Sequence, residues 1–302
     1  EMKCLRAQGL YSILFSAAVL GFLLQSARAQ TVLLSGYEGT GSYEFGQELT
    51  RIWKRFGHSE KQLLVHPVKD TEERLKRMRG RQAKLAVIDA RNAHRSLGKD
   101  LRLRVLVVLW PNWLHIVVNR LSLASPSLEL ARTLLVHPNA MQAAMVWKSR
   151  VPEGRLVWLG PRHQSIETEG LAEDAMLLVA PAPVEELQSL LGLFESLNLA
   201  SLDGAMLKGI RRQAPWWHKW KLNKNTYPRQ NKPLSGLASF SVLVSRVDFP
   251  DNEAKLLLKL IYRQKTRLNS HMLFRNLNAG HNALFRETFH FHPRSRIFFK
   301  FK

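Results

Sequence analysis

Apolar positions along this chain follow two alternating periods. Short aliphatic runs of strand length are each followed by stretches whose apolar residues recur every three or four positions. Thr31 to Leu34 is the first run, and Phe45, Leu49, Ile52, Trp53 and Phe56 behind it share one helix face. Gln62 to Val65 predicts a second strand. Asp70 and Glu73 then bracket a capping-box start for a helix that stops near Gly80. Ala83 to Ile88 is a third strand ending at Asp89, with a short helix from Ala90 to His94 behind it. Leu103 to Leu109 is almost continuously aliphatic, the pattern of a strand buried on both faces. Trp110-Pro111-Asn112-Trp113 reads as a break, after which Leu114 to Val118 resumes as a strand.

The alternation repeats in a second unit. Thr133 to Val136, Arg155 to Leu159 and Ala175 to Val179 are strand-like, with helices over Ala140 to Trp147, Val184 to Phe194, and Asp203-Gly204 to Arg212. Ser239 to Val244 is a returning strand. The acidic residues and proline from Asp248 to Glu253 then start a helix whose apolar face is Ala254, Leu257, Leu258, Ile261 and Leu268. Strands alternating with helices in this way predict an α/β protein.

The first 29 residues do not fit this pattern. Lys3 and Arg6, an apolar core from Leu10 to Leu24, and Ala27-Arg28-Ala29 have the layout of an export signal, with cleavage expected after Ala29. An uncleaved N-terminal anchor is the alternative. The single cysteine, Cys4, lies in this segment, so the mature chain would have neither a disulfide nor a thiol nucleophile. The expected location is a bacterial periplasm. The formal charge is +21, and most of it remains once Lys3, Arg6, Arg28 and Glu1 are removed. That excess favours small anions or lipid headgroups as partners, since an exported protein rarely meets nucleic acid.

Gly36-Tyr37-Glu38-Gly39-Thr40-Gly41-Ser42-Tyr43 stands between the first strand and the first helix. Such a turn offers backbone N–H groups and the positive end of a helix dipole to an anion. An ordinary tight turn with Ser42 as N-cap fits the same residues, and Glu38 argues somewhat against a phosphate. Asp89, with Ala90 and Asn92, stands where a strand's carboxyl end would line a ligand crevice; as an alternative, Asp89 caps the following helix. Trp110 and His115 either face a cleft or pack at the strand bend. Lys208 to Lys232 mixes eight bases with Trp216, Trp217, Trp220 and Tyr227 and carries no acid. It reads as a long inter-lobe loop, or otherwise as a nucleic-acid or membrane-surface patch. His290-Phe291-His292 could offer two metal ligands on one strand face, but no third ligand stands at a useful spacing. No hydrolase elbow, zincin motif or P-loop lysine is present, so catalysis has no support and no cofactor is implied.

In order along the chain, six motifs resemble those of the TAXI-type solute receptors of tripartite (TRAP) transporters. They are Gly39-Thr40-Gly41-Ser42-Tyr43, the strand Ala83 to Asp89, the segment Leu109 to Val118, Asn225-Thr226-Tyr227-Pro228, the helix start Ser245 to Asp251, and Phe291-His292-Pro293. The resemblance implies a two-lobe periplasmic-binding-protein-like fold of type II that closes on a solute and performs no chemistry. Its lobes would be residues 30–116 with 234–302, and 117–233 including the basic, aromatic loop. The ligand would be a small carboxylated solute, an amino acid or dicarboxylate such as glutamate, passed to the TRAP membrane permease subunits. Gly39, Thr40, Gly41, Ser42 and Tyr43 would hold its anionic group, Asp89, Trp110 and His115 would line the first lobe, and Tyr227 would approach from the hinge side. Three places depart from the family: Val136 to Met141 replaces a Gly/Ser/Thr-rich loop, Asp89 replaces a Gln, and Val179-Ala180-Pro181 stands where glycines are common. An acid at position 89 would repel a carboxylate unless a cation offsets it. A sensory or surface-associated interaction protein on the same fold is the alternative function, with anionic membrane contact as its partner.

Overall fold

The computed structural model describes residues 30–56, 62–97, 100–121, 123, 128–159, 173–264, 268 and 277–301. The expected export signal, residues 1–29, lies outside them, as does Cys4. The strands are β1 (Thr31–Ser35), β2 (Leu63–Pro67), β3 (Leu85–Asp89), β4 (Leu103–Asn119), β5 (Thr133–Val136), β6 (Arg155–Trp158), β7 (Ala175–Ala180), β8 (Leu197–Leu199), β9 (His218–Leu222) and β10 (Leu234–Arg246). The helices are α1 (Gly41–Phe56), α2 (Thr71–Arg79), α3 (Ala90–Leu97), α4 (Met141–Arg150), α5 (Glu185–Leu193), α6 (Gly204–Gln213), α7 (Asp251–Arg263), α8 (His281–Leu284) and α9 (Pro293–Phe298).

All the strands join one sheet in the order β2-β1-β3-β10-β4-β7-β5-β6, with β8 added to β4 and β9 to β10. That order contains the same arrangement twice. In the first wing, parallel β2, β1 and β3 are followed by antiparallel β10 and then β4. In the second, parallel β6, β5 and β7 are followed by antiparallel β4 and then β8. The wings are two α/β lobes, and β4 and β10 run side by side between them. The expected two-lobe, periplasmic-binding-protein-like architecture is the one observed.

Alternation along the strands builds the layers. In the first lobe Leu33, Leu85 and Val87 point to one face, against Phe45, Leu49 and Trp53 of α1 and Leu257, Leu258 and Ile261 of α7. Leu34, Ala86 and Ile88 point to the other, where Leu75 and Met78 of α2 and Ala93 and Leu97 of α3 close a core that continues into the second lobe. Leu103 to Leu109 is wholly aliphatic except at Arg104 because both faces of β4 are covered.

Three expectations need correction. β4 does not break at Trp110 to Trp113. It runs for 17 residues, and the register shifts between Phe240 and Val242, so that Leu109 and Trp110 face one residue of β10. The bulge accommodates Pro111, which cannot donate to a regular ladder. Lys208 to Lys232 is not a long loop: it contains the end of α6 and all of β9, and Trp216, Trp217 and Tyr227 are buried. The capping box is half formed. The Asp70 side chain accepts the Glu72 N–H at 2.8 Å, but Glu73 turns to Arg77 at 2.9 Å. Among the described residues no helix is long and apolar enough to cross a membrane.

Candidate functional site

The carboxyl ends of the six parallel strands point into one space. Gly36 follows β1, Lys69 lies just past β2 and Asp89 ends β3; across from them His137 follows β5, Leu159 follows β6 and Ala180 ends β7. All six line a cleft of about 600 Å³ between the lobes. Parallel α/β sheets place ligands at this end of their strands, and the volume suits a small organic molecule.

The glycine turn forms part of the first lobe's wall. Glu44 N–H donates to Thr40 O at 3.0 Å, so α1 starts at Gly41 and Ser42 lies within its first turn, not at the expected N-cap. The Ser42 Oγ instead accepts the Gly36 N–H at 2.9 Å, and the Thr40 hydroxyl donates to Tyr37 O at 2.7 Å. Gly39 turns the chain with φ +81°. The N–H groups of Gly41 and Ser42 meet no acceptor among the described residues, so they remain free to hold an anion.

Thr40, Gly41, Ser42, Asp89 and Trp110 from the expected set line this cleft together. Gly39 is exposed at the tip of the turn. The Tyr43 hydroxyl turns outward and donates to Glu38 at 3.3 Å. His115 and Tyr227 lie elsewhere. Both are buried, and their side chains bond to each other at 2.7 Å. They back the second lobe's wall, since Tyr227 accepts the Val184 N–H and His115 pairs across the sheet with Leu178, and both Val184 and Leu178 line the cleft. Burial holds His115 down to about 3 and raises the Tyr227 phenol, so both are neutral at pH 7.

Asp89 caps α3 and lines the cleft at once. One of its oxygens accepts the Asn92 N–H at 2.8 Å and the other the Asn92 side-chain amide at 2.6 Å. Its charge also faces cations that the sequence did not single out: Lys69, Arg74 and Arg91 line the same wall. Arg74 is buried; it donates to Val87 O and, at 2.7 Å, to Thr71 Oγ1, while its Nε has no partner. Arg91 Nε is buried and likewise has none. Desolvation lowers both guanidinium pKa values, and Asp89 opposes the shift. The repulsion expected from an acid at position 89 is thereby offset.

Trp216 and Trp217 reach the cleft from the connection between α6 and β9, and Asn112 and Ser241, bonded at 3.1 Å, from the two shared strands. The strand-end rule that singled out Asp89 applies equally to Lys69 and His137. No sequence signal marks Arg74 or Arg91, whose positions follow from the folding of α2 and α3.

Two other features have structural explanations. A larger open groove of about 940 Å³ follows β9; of the parallel strands only β7 approaches it, through Ala182 and Pro183, and its Lys219 and Lys221 sit on a sheet edge, where lysines deter edge pairing. His292 caps α9 by accepting the Arg294 N–H at 3.2 Å, and its Nε2 lies 3.2 Å from Phe249 O. No cluster of metal-ligating residues occurs among the described residues.

The fold is a two-lobed α/β clamp, and the cleft between its lobes is polar and carries cations on the first lobe's side. Residues 170–300, under half of the chain, match the model of the NMT1-like family. No curated protein sequence matches. Among solved structures, a TctC solute binding protein from Polaromonas has 12% identity over 91% of this chain and 98% of its own, with a TM-score of 0.48. An amino acid ABC transporter substrate-binding protein from Streptococcus pneumoniae, bound to L-arginine, has 12% identity over 84% and 96%, at 0.45. The VFT2 domain of Bordetella pertussis BvgS has 14% identity over 77% and 86%, at 0.43.

Proposed function

We propose that this protein is an extracytoplasmic solute receptor. It closes its lobes on a small carboxylated solute, does not alter it chemically, and delivers it to the permease subunits of a TRAP transporter. One observation carries this reading: the ends of six parallel strands from two lobes converge on one cleft, which holds free helix N–H groups, Arg74 and Arg91 on one wall. In this reading Thr40, Gly41 and Ser42 contact the carboxylate with the arginines, and Asp89 holds Asn92 and the start of α3 in place. His115 and Tyr227 support the wall from behind. Export to a periplasm, with cleavage after Ala29, completes the assignment. Amino acids and dicarboxylates such as glutamate are the ligands that the TAXI resemblance implies.

The test is calorimetric titration of the purified mature protein with a panel of amino acids, monocarboxylates and dicarboxylates. Saturable binding to at least one acid, lost on substituting Arg91, is the expected result. A folded protein that binds none of them would retire the reading.

A second reading follows from the basic surface. Lys208, Arg211, Arg212, Lys219, Lys221, Lys224, Arg229 and Lys232 are exposed, and no acid occurs from Gly204 to Val247. None of the eight enters an ion pair among the described residues. Such a face suits an anionic membrane surface, as a sensory or surface-associated protein would use it.

A further inference from the structure

The cleft's charge and polarity are divided unequally between its walls. The first lobe supplies Lys69, Arg74 and Arg91 and one acid, Asp89, whose two oxygens are both engaged by Asn92. Among the described residues the second lobe supplies no cation, and its only charged residue at the cleft is Glu186, which is exposed and enters no ion pair or side-chain hydrogen bond among them. His137, half-buried, accepts the Asn139 N–H on Nδ1 at 3.3 Å, and burial lowers its pKa, so it adds no positive charge there near neutral pH. A ligand with a carboxylate at each end would therefore bring one of them to a wall whose described residues carry only negative charge.

The uncharged lining mixes polar side chains, among them Asn112, Asn139, Gln142 and Ser241, with aromatic and aliphatic ones. Trp110, Trp216 and Trp217 line the cleft, as do Leu178 and Val179. Trp217 is 3% exposed, and its indole N–H has no acceptor. A buried N–H without a partner is costly, and a ligand atom that accepts from it removes the cost.

We propose that the cleft selects an aromatic monocarboxylate. Its carboxylate lies at the first lobe against Arg74, Arg91 and the glycine turn. Its planar apolar body lies among the three tryptophans, where burial and ring stacking contribute affinity that an aliphatic acid lacks. An acceptor on the ring takes the Trp217 N–H. This rests on the receptor reading above and narrows its ligand class away from dicarboxylates.

The experiment uses the mature protein, calorimetry and tryptophan fluorescence. The probes are 4-hydroxybenzoate, 4-hydroxyphenylacetate, benzoate and phenylacetate, with succinate and L-glutamate as the aliphatic set. The expected result is that the best aromatic acid binds at least about tenfold more tightly than either aliphatic diacid and changes the indole emission. Trp217→Phe keeps a ring but removes the donor; it should weaken the hydroxylated acids by about tenfold more than their unsubstituted parents. Thermal unfolding of the variant shows that it is folded. Equal or tighter binding of succinate or glutamate would overturn the inference and leave the receptor reading intact. Unchanged affinity of Trp217→Phe for the hydroxylated acids would overturn the role given to its N–H. Binding of no acid in either set would remove both the inference and the receptor reading.

Discussion

The Tyr227 hydroxyl lies 2.7 Å from His115 Nε2, between two buried rings set edge to face at 90°. The same oxygen accepts the Val184 N–H at 2.9 Å, and burial keeps the imidazole beside it neutral. A polar pair built into the wall of a cleft is thus fixed in one protonation state.

This pair gives the molecule a pH dependence. The folded His115 titrates at about 3, below the ordinary value of 6.5, so between those limits the unfolded chain binds a proton that the folded chain does not. Stability is therefore fully present above about pH 6.5 and falls as pH drops toward 3, by roughly 1.4 kcal/mol per pH unit for one proton. His218, pushed down to about 4 chiefly by burial, acts in the same direction. Urea unfolding at several pH values should show the slope, and His115→Gln should flatten it. Identical slopes in the two proteins would assign the effect elsewhere.

Tyr227→Phe keeps the ring but strands the Val184 N–H and removes the partner of His115 Nε2. It should destabilise the fold by about 1–3 kcal/mol, read as a lower denaturant midpoint with the m-value unchanged.

The two arginines should separate binding from stability. Arg91→Gln is expected to reduce affinity for a carboxylate by roughly 10–100-fold, the worth of a charge-assisted hydrogen bond, with little change in melting temperature. Arg74→Gln should lower both, because its guanidinium also ties α2 to Val87 O and Thr71. Calorimetry and thermal scans on the same samples would show whether the effects divide in this way.

The glycine turn tolerates little. A Cβ at Gly36 would stand 2.7 Å from Ser42 Oγ and collide with the Thr40 side chain. Gly36→Ala should therefore displace the hydroxyls that set the turn and weaken ligand binding at least about tenfold. Gly39→Ala faces open space, so only its left-handed backbone resists, at a cost of about 1–2 kcal/mol. A Gly36→Ala protein with wild-type affinity would place the anion site away from this turn.

The basic face makes a separate forecast. Sedimentation with anionic vesicles should carry the protein down at low ionic strength and release it at high salt, because exposed charges are screened beyond about 10 Å at 0.1 M. Indifference to vesicle charge would dispose of the surface reading.

How much the sequence disclosed depended on whether a feature was local. The turn after β1, the cap at Asp70, the helix start at Asp203-Gly204 and the buried face of α7 follow from neighbouring residues and were legible. β4 was misread at Pro111 because the bulge that accommodates the proline exists only opposite β10, more than a hundred residues away. The stretch around Trp216 reads as a basic loop because its charges face outward; that its indoles face a cleft follows only from the packing of α6 and β9. Arg74 and Arg91 sit on helices where a charge ordinarily means solvent, and nothing local marks them as lining a site.

Because β4 and β10 pass together from one lobe to the other, hydrogen-bonded to each other, neither jaw can swing on a single free linker. Any change in the angle between the lobes must twist a two-stranded ribbon, and the twist should concentrate where the ladder is already interrupted, at two register shifts, one opposite Ser241 beside Pro111 and one between Leu243 and Val244. Trp110 and Asn112 flank that same proline and line the cleft. The fulcrum and the ligand's seat therefore share a few adjacent residues, so whatever occupies the cleft bears directly on the joint that closes it.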